Sequence, residues 1–301
     1  MSYEKQIKLL IDVLPIALQD NRMALKGGTA INLFHRNIPR LSVDIDLSYL
    51  PIEDRVTTYK NIHSILKKVK EDVKDKLGCS VKESKKLEKT NEAKLFIEKD
   101  GITIKVEPNY IIRGNIIPPE ILPLVESAQE EFEREVDVQC IAHNELYAGK
   151  ICAALDRQHP RDLFDIHLLL KNEGITKELK DAFLVYLLSH GRPMKELLSP
   201  NIKEIKEVYE KELKGMERIE ITLEDLEQAR INLIKEINDL LDVDDKLFLI
   251  SFLDLSPDWS KSKHPGMKDL PAVKWKIQNL NKVSEEKREV LKTELKKHLN
   301  I

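Results

Sequence analysis

The chain has 301 residues, 42% of them hydrophobic and 34% charged, which is enough apolar material for one large domain or two ordinary ones. Aromatic residues make up only 5% of the sequence, and this argues against an aromatic-rich sheet such as an RNA-recognition motif. The 49 basic and 52 acidic residues leave a net charge of -3, which argues against wholesale polyanion binding but not against a local basic patch.

The sequence before residue 143 alternates between helical and strand patterns. Apolar residues recur at helical spacing in the first 20 residues, whereas residues 40–47 alternate polar and apolar side chains as a half-buried strand does. The predicted elements in chain order are a helix within 1–20, a strand at 23–25, a helix at 29–34 with Thr29 as N-cap, a strand at 40–47, a charged helix at 51–77, hairpin strands at 93–98 and 102–107, a proline-marked loop around 118–123, and a strand at 136–141.

From His143 onward the pattern is helical. Thr222 and Asp225 form a helix-start signal, a proline-containing loop interrupts the pattern at 256–271, and a lysine-rich helix follows from Trp275. We therefore predict an α+β protein, with a mixed sheet and flanking helices over residues 1–142 and an all-helical domain over residues 143–301.

The three cysteines and the lengths of the apolar runs indicate the cellular compartment of the protein. Cys79, Cys140 and Cys152 are odd in number, far apart and without a CxxC motif, which predicts buried or free thiols in a reducing compartment. No apolar run approaches the roughly 18–20 residues that cross a bilayer. The first 20 residues are interrupted by Asp12 and lack a small-residue cleavage site, so we expect no signal peptide. We expect a soluble, cytoplasmic protein with no membrane partner.

Two motifs in the first part of the chain carry chemistry. Asp44 and Asp46 are two residues apart in a predicted strand, so both carboxylates project from one face, where a divalent cation would stabilise them together. Gly27, Gly28 and Thr29 lie at a strand-to-helix corner that lets a phosphate approach the backbone. Taken alone, each motif has an ordinary alternative: solvated aspartates on an edge strand, or a simple Gly-Gly turn.

The combination of these motifs resembles the polymerase-β-like nucleotidyltransferase superfamily. A third carboxylate is then expected from a later strand, and Glu107 on the polar face of the strand at 102–107 is the best candidate. Asp100 lies in a turn and fits less well. The alternative for Glu107 is an exposed strand residue without a ligand.

The sequence more specifically resembles the AbiEii/AbiGii toxin family of nucleotidyltransferases. The segments that carry the resemblance are KGGTAINLFHRNIPRLSVDIDL (26–47), KVEPNY (105–110), ELYAGKICAALDRQHPRDLFDIHL (145–168) and, weakly, LPAVKWK (270–276). The resemblance implies that Gly27, Gly28 and Thr29 hold the triphosphate of an NTP and that Asp44 and Asp46 bind Mg²⁺ or Mn²⁺. Glu107 is then a third metal ligand.

The same resemblance assigns roles in the helical part. Lys150 reaches the nucleotide phosphates, and Asp162 and Asp165 complete the site from the neighbouring helix. The spacing of these aspartates places them on one face of that helix near its start. From Lys150 alone, the ordinary interpretation is a solvated helix lysine, but the mostly apolar stretch around it (147–155) weakens that interpretation. The alternative for the two aspartates is a role as helix-capping charges. Arg157 and Arg161 are either salt-bridge partners or phosphate contacts.

The resemblance implies a metal-dependent transfer of NMP from an NTP to an acceptor hydroxyl, with RNA, and in particular a tRNA 3′ end, as the acceptor. It further implies a toxin of a toxin–antitoxin or abortive infection system, with its antitoxin encoded nearby. Two alternatives stay open: a non-catalytic NTP-binding regulator with the same fold, and a metal-dependent nuclease, which has no need of the Gly-Gly-Thr corner.

Other residues have structural interpretations at this point. His143, His159 and His167 have no metal-ligand spacing and are interpreted as surface or helix-end residues. Trp259 and Trp275 are predicted to be core or interdomain anchors. The basic run at 287–297 is interpreted as a solvated helix face, with RNA contact as the minority alternative.

Overall fold

The computed structural model describes residues 2–85 and 92–301 of the chain. This part of the chain contains a mixed seven-stranded sheet together with many helices, so the predicted α+β class is confirmed. It divides into two compact units: residues up to Leu146 with Glu217–Ile219, and Tyr147–Met216 with Glu220–Ile301. No helix within the described ranges has the length and apolar character needed to cross a membrane.

The first unit contains the sheet. Its elements in chain order are α1 (Ser2–Ala17), β1 (Met23–Lys26), α2 (Gly27–Ala30) continued by a π-helical turn (Ile31–His35), β2 (Asp44–Tyr49), α3 (Arg55–Leu77), β3 (Ser80–Lys85), β4 (Ala93–Lys99), β5 (Ile102–Asn109), β6 (Glu120–Pro123), α4 (Glu126–Phe132) and β7 (Asp137–Cys140). The strand order is β3-β4-β5-β2-β1-β7-β6, with β2–β5 and β1–β7 parallel and the other neighbours antiparallel.

The two faces of the central strands differ because side chains alternate along each strand. Ile45, Leu47 and Val106 are fully buried on one face, where α1 packs against β2 and β5. The apolar stripe of α3 packs against β3, β4 and α1. The intervening residues of β2 and β5 are all polar, and they include Asp44 and Asp46. The alternation seen in the sequence therefore separates a core face from a charged face.

Several predicted elements are confirmed, among them the hairpin of β4 and β5 and the strands β1 and β7. Two strands were not predicted: β3, and β6, which lies in the segment where Pro118, Pro119 and Pro123 predict a loop. The charged helix begins at Arg55 and not at residue 51, because the Asp54 carboxylate caps it by accepting from the backbone N–H groups of Val56 and Thr57.

The prediction that Thr29 caps a helix is wrong. The helix begins at Gly27, with Lys26 in the N-cap position, and Thr29 lies inside it with a fully buried side chain. The Thr29 hydroxyl donates to the backbone carbonyl of Asp44 at 2.5 Å and lies 3.0 Å from the Ser42 hydroxyl. This residue therefore ties the start of the helix to the start of β2.

The chain is helical from His143 onward, as predicted. The helices are α5 (His143–Arg157), α6 (Pro160–Asn172), α7 (Lys177–Ser189), α8 (Met194–Leu198), α9 (Lys206–Glu212), α10 (Leu223–Asp239), α11 (Val243–Leu253), α12 (Pro271–Asn281) and α13 (Glu285–Leu299). Thr222 and Asp225 form the expected capping box of α10. The loop predicted at 256–271 contains two short 3₁₀ turns, Trp259–Lys261 and Pro265–Asp269.

All three cysteines are free and buried, as predicted. Burial raises the pKa of the Cys140 thiol to about 12, so this group stays protonated and unreactive at neutral pH. The prediction that the tryptophans are core or interdomain anchors is met by Trp259, which packs edge-on against Phe248 and Phe252. Trp275 is 52% exposed, so that prediction is wrong for it.

Candidate functional site

A row of charged residues crosses the sheet on its polar face. In the register of the strands, Lys26 of β1 lies opposite Asp46 of β2, and Asp46 lies opposite Glu107 of β5. Asp44 lies opposite Lys105 in the same pair of strands. The sequence prediction that Asp44 and Asp46 share a face is thus met by the register, which also places Glu107 on the adjacent strand beside Asp46.

Lysines neutralise part of this row. The Lys105 ammonium lies 2.8 Å from Glu107 Oε2 and 3.7 Å from Asp44 Oδ2, and Lys94 forms a further ion pair with Glu107. Burial alone would raise the pKa of Glu107, but hydrogen bonds from Lys105 and Lys94 outweigh it and lower that pKa. Glu107 is therefore an ionised carboxylate whose charge is already balanced by two ammonium groups.

Asp46 is in the opposite situation. Burial raises its pKa, the nearby Asp44 and Glu107 carboxylates reinforce the shift, and Lys26 and Lys105 only partly oppose it. An ionised Asp46 thus lacks sufficient positive charge around it in the protein alone. The donor chemistry of the Asp44–Asp46 pair, two carboxylates on one face with a deficit of positive charge, fits a hard divalent cation.

The described residues do not gather a third metal ligand beside Asp44 and Asp46. Within the described ranges, no group of three or more His, Cys, Asp or Glu side chains is gathered closely enough to hold a metal ion. Glu107 instead bonds to Lys94 and Lys105. The structure thus brings Asp44 and Asp46 together and leaves Glu107 as a neighbouring, lysine-bound carboxylate.

The corner between β1 and α2 packs directly against Asp46. Gly27 adopts a left-handed backbone with φ of +74°, and a Cβ there would lie 3.1 Å from both Cβ and Cγ of Asp46. At Gly28, a Cβ would lie 2.8 Å from Arg40 Nη2 and 2.9 Å from the Ser42 hydroxyl oxygen. The corner therefore needs glycine for conformation and for space. Because the Thr29 side chain is buried, only the backbone of Thr29 is left to meet a ligand.

Replacing Gly27 tests how tightly this corner is built. Gly27→Ala is expected to lower the unfolding free energy by about 1–3 kcal/mol, since it adds both a disfavoured φ and an overlap with Asp46. Gly101→Ala is the matched control, because Gly101 has a similar φ of +77° but nothing within 4 Å of its added Cβ. Urea unfolding measures both variants. Equal losses would show that packing against Asp46 contributes nothing.

A second charged cluster is buried within the helical unit. The Lys150 ammonium of α5 lies 2.9 Å from Asp162 Oδ1 and 2.9 Å from Asp165 Oδ2, both on α6. Lys150 is 8% exposed, and the two aspartates are almost completely buried. The predicted shared helix face of Asp162 and Asp165 is confirmed, since both carboxylates meet the same ammonium. The interpretation of Lys150 as a solvated lysine is wrong.

Arg157 extends this cluster toward solvent. Its guanidinium contacts both Asp162 carboxylate oxygens, at 2.5 and 2.9 Å, while its side chain is 61% exposed. Burial would raise the pKa of Asp162, but the charges and hydrogen bonds of Lys150 and Arg157 outweigh it and hold that pKa well below its usual value. Asp162 and Asp165 thus hold the buried ammonium of Lys150, and Asp162 also holds the exposed guanidinium of Arg157.

The residues around this cluster have structural roles. His159 is the N-cap of α6, with its ring Nδ1 accepting from the Arg161 backbone N–H, and His143 is the first residue of α5. Both positions agree with the helix-end interpretation. Arg161 pairs with Glu212 at 3.3 Å on the surface, so each of the two arginines left open by the sequence forms a salt bridge.

Sequence reasoning missed the lysines of the first unit. Lys26, Lys94 and Lys105 set the charge balance around the carboxylates, yet they were not among the predicted site residues. A usable signal exists for Lys105, since the strand alternation that places Glu107 on the polar face places Lys105 there as well. The predicted hairpin also brings Lys94 opposite Glu107, since Leu95 pairs with Val106 in it. Lys26 requires the strand order, which local patterns do not give.

Three comparisons with known proteins bear on this arrangement. A family profile described as "Nucleotidyl transferase AbiEii toxin, Type IV TA system" matches residues 8–279. The structure is similar to MenT4, a nucleotidyltransferase toxin from Mycobacterium tuberculosis H37Rv, with a TM-score of 0.59 and 15% sequence identity over 93% of this chain and 94% of that chain. This likeness is one of fold. A search among curated proteins found no match.

Proposed function

The chain belongs to the AbiEii family of nucleotidyl transferase toxins of type IV toxin–antitoxin systems, and from this premise we propose that it transfers NMP from an NTP to an acceptor hydroxyl with the help of a divalent metal. The observation that carries the proposal is the Asp44–Asp46 pair, directed from one face of β2 and packed against the Gly27 corner. The family and fold support a transferase, and an NTP substrate and an antitoxin partner follow from the family.

The first unit would hold the metal and the triphosphate. Asp44 and Asp46 would bind Mg²⁺ or Mn²⁺, which when bound supplies positive charge to the reacting phosphates and to the attacking hydroxyl. Glu107 stays a proposed third ligand, and its ion pairs with Lys94 and Lys105 would have to open for it to serve. Gly27, Gly28 and the backbone of Thr29 would face the triphosphate, where the absence of side chains allows close approach.

The helical domain, which we propose spans residues 143–301 after a nucleotidyltransferase domain over 1–142, would contribute the second cluster. Lys150 would offset negative charge on the nucleotide phosphates, and the more exposed Arg157 is suited to the same task. Asp162 and Asp165 would hold these cations in position, because their carboxylates are fully engaged with them. Neither aspartate would touch the substrate in this arrangement.

In the proposed reaction, an acceptor hydroxyl gives its proton to solvent and its oxygen bonds to the α-phosphorus, while the bond from that phosphorus to the oxygen shared with the β-phosphorus breaks. Pyrophosphate leaves, and positioning and charge neutralisation account for the rate. We propose RNA as the acceptor, with a tRNA 3′ end as the first candidate. In a cytoplasmic toxin with its antitoxin encoded nearby, this would arrest growth or abort a phage infection.

Labelled nucleotides test the proposal directly. Purified protein is incubated with Mg²⁺, total bacterial RNA and each α-³²P-labelled NTP in turn, beside an Asp44→Ala/Asp46→Ala variant. Label in RNA with the wild-type chain alone supports the proposal and identifies the base and the class of RNA. NTP binding without transfer would contradict it in favour of a nucleotide-binding regulator, and shortened RNA would contradict it in favour of a nuclease.

A further inference from the structure

One segment of the helical unit concentrates positive charge. Residues 259–282, which comprise the two 3₁₀ turns and α12, contain six lysines and one aspartate, a formal charge of +5 in a chain whose net charge is -3. The two turns and the helix contact one another in succession, so these charges share one region of the surface. The remainder of the chain is correspondingly acidic.

Three of these lysines contact oxygen acceptors of the protein, and the other three have no carboxylate partner in the part of the chain that the structure describes. Lys261 pairs with Asp244, Lys274 pairs with Asp269, and the Lys276 ammonium donates to three backbone carbonyls at and just beyond the end of α7. Lys263, Lys268 and Lys282 are exposed and form no ion pair with any residue in the described ranges. Three solvated ammonium groups thus stand without a carboxylate partner on this surface.

The outward face of α12 adds an aromatic ring to this charge. Trp275 is 52% exposed, and Lys282, seven residues further on, lies with its ammonium 5.5 Å from the centre of the indole. Gln278 and Asn279 are exposed on the same helix, which contains neither aspartate nor glutamate. Cations, amides and a ring in solvent are the groups that bind phosphates, base edges and base faces.

We propose that this surface, formed by residues 259–282 and centred on Trp275 and Lys282, binds single-stranded RNA. A base would stack on the indole while Lys263, Lys268 and Lys282 meet the phosphates. The assignment deepens the proposed function, because it rests on RNA as the acceptor and names where the RNA is held. An antitoxin is the alternative occupant of this surface. The excess of lysines without a carboxylate partner favours a polyanion, and any base can stack on an exposed tryptophan.

The two tryptophans of the chain allow a direct test with the full-length protein. Trp259→Phe leaves Trp275 as the only indole, and Trp275→Ala leaves Trp259, which packs against phenylalanines. An RNA oligonucleotide of about 12 nucleotides is titrated without NTP. We expect saturable quenching in Trp259→Phe and none in Trp275→Ala. Quenching in the Trp275→Ala variant together with none in Trp259→Phe would overturn the proposal.

The second measurement is the affinity of the protein for the RNA oligonucleotide, determined from the fluorescence anisotropy of a labelled copy. Trp275→Ala is expected to weaken binding about 5–100-fold, and Lys282→Ala to weaken it and reduce the dependence of log Kd on log salt. Lys211→Ala is the control, an exposed lysine of α9 outside this segment that pairs with Glu207. Unchanged affinity in Trp275→Ala, or loss of antitoxin binding and not of RNA binding, overturns the proposal.

The Asp44→Ala/Asp46→Ala variant should still bind RNA, so a failure of catalysis and a failure of this surface are distinguishable.

Discussion

Asp46→Asn is expected to reduce nucleotidyl transfer by at least about 10³-fold while leaving the chain folded and no less stable than the wild type. Burial and the neighbouring Asp44 and Glu107 carboxylates raise the pKa of Asp46, so its ionised form at neutral pH costs folding free energy. The amide removes that charge with almost no change in shape. Activity and stability should therefore move in opposite directions, as at sites that hold charge for a ligand.

The measurements are label transfer from an α-³²P-labelled NTP and the thermal midpoint of the same preparation. Asp100→Asn is the control, because Asp100 is an exposed carboxylate in the β4–β5 turn, and it should change neither activity nor midpoint. Its left-handed backbone, with φ of +52°, also accepts asparagine without cost. Wild-type turnover by Asp46→Asn would remove Asp46 from the site, whereas a lower midpoint would make it a structural residue.

Local patterns were sufficient for the carboxylates of the sheet. The alternation around Asp44 and Asp46 predicted the shared face and a strand, which begins at Asp44 and not at residue 40. The turn at Lys99-Asp100-Gly101 predicted the hairpin that carries Glu107. These features depend on residues only a few positions apart. The helix start at Thr222 was predictable for the same reason, since a capping box is completed within four residues.

Contacts between residues far apart in the sequence determine the features that local patterns did not predict. Thr29 is a good N-cap by type, yet its hydroxyl bonds to the start of β2, fifteen residues away, and the helix begins two residues earlier. A helix lysine such as Lys150 is usually solvated. Its ammonium is buried here because α6 packs beside it and supplies the carboxylates of Asp162 and Asp165. Trp275 has the hydrophobicity of a core residue but lies on the outward face of α12. Such contacts leave no local signal.

Asp162→Asn should cost about 3–5 kcal/mol of unfolding free energy at pH 7, the usual loss when one partner of a buried ion pair is removed. Asp162 is 1% exposed and bonds to both Lys150 and Arg157, so the amide would leave two cations sharing fewer anionic oxygens. The urea midpoint should fall by more than about 1 M. The matched control is Asp239→Asn, whose carboxylate pairs with Lys235 on the exposed face of α10 and should contribute less than about 1 kcal/mol.

The pH dependence of this loss separates the ion pairs from simple packing. The pKa of Asp162 is held well below its usual value in the folded chain, so its stabilisation is complete above the unfolded pKa, near about 3.9. As the pH falls below that value, the unfolded chain takes up a proton that the folded chain resists, and the stabilisation is progressively lost. The difference between wild type and Asp162→Asn should therefore be constant from pH 7 to about pH 5 and shrink below about pH 4. A difference that stays constant through pH 3 would show that Asp162 contributes through shape and hydrogen bonding and that its charge is not what holds Lys150 and Arg157.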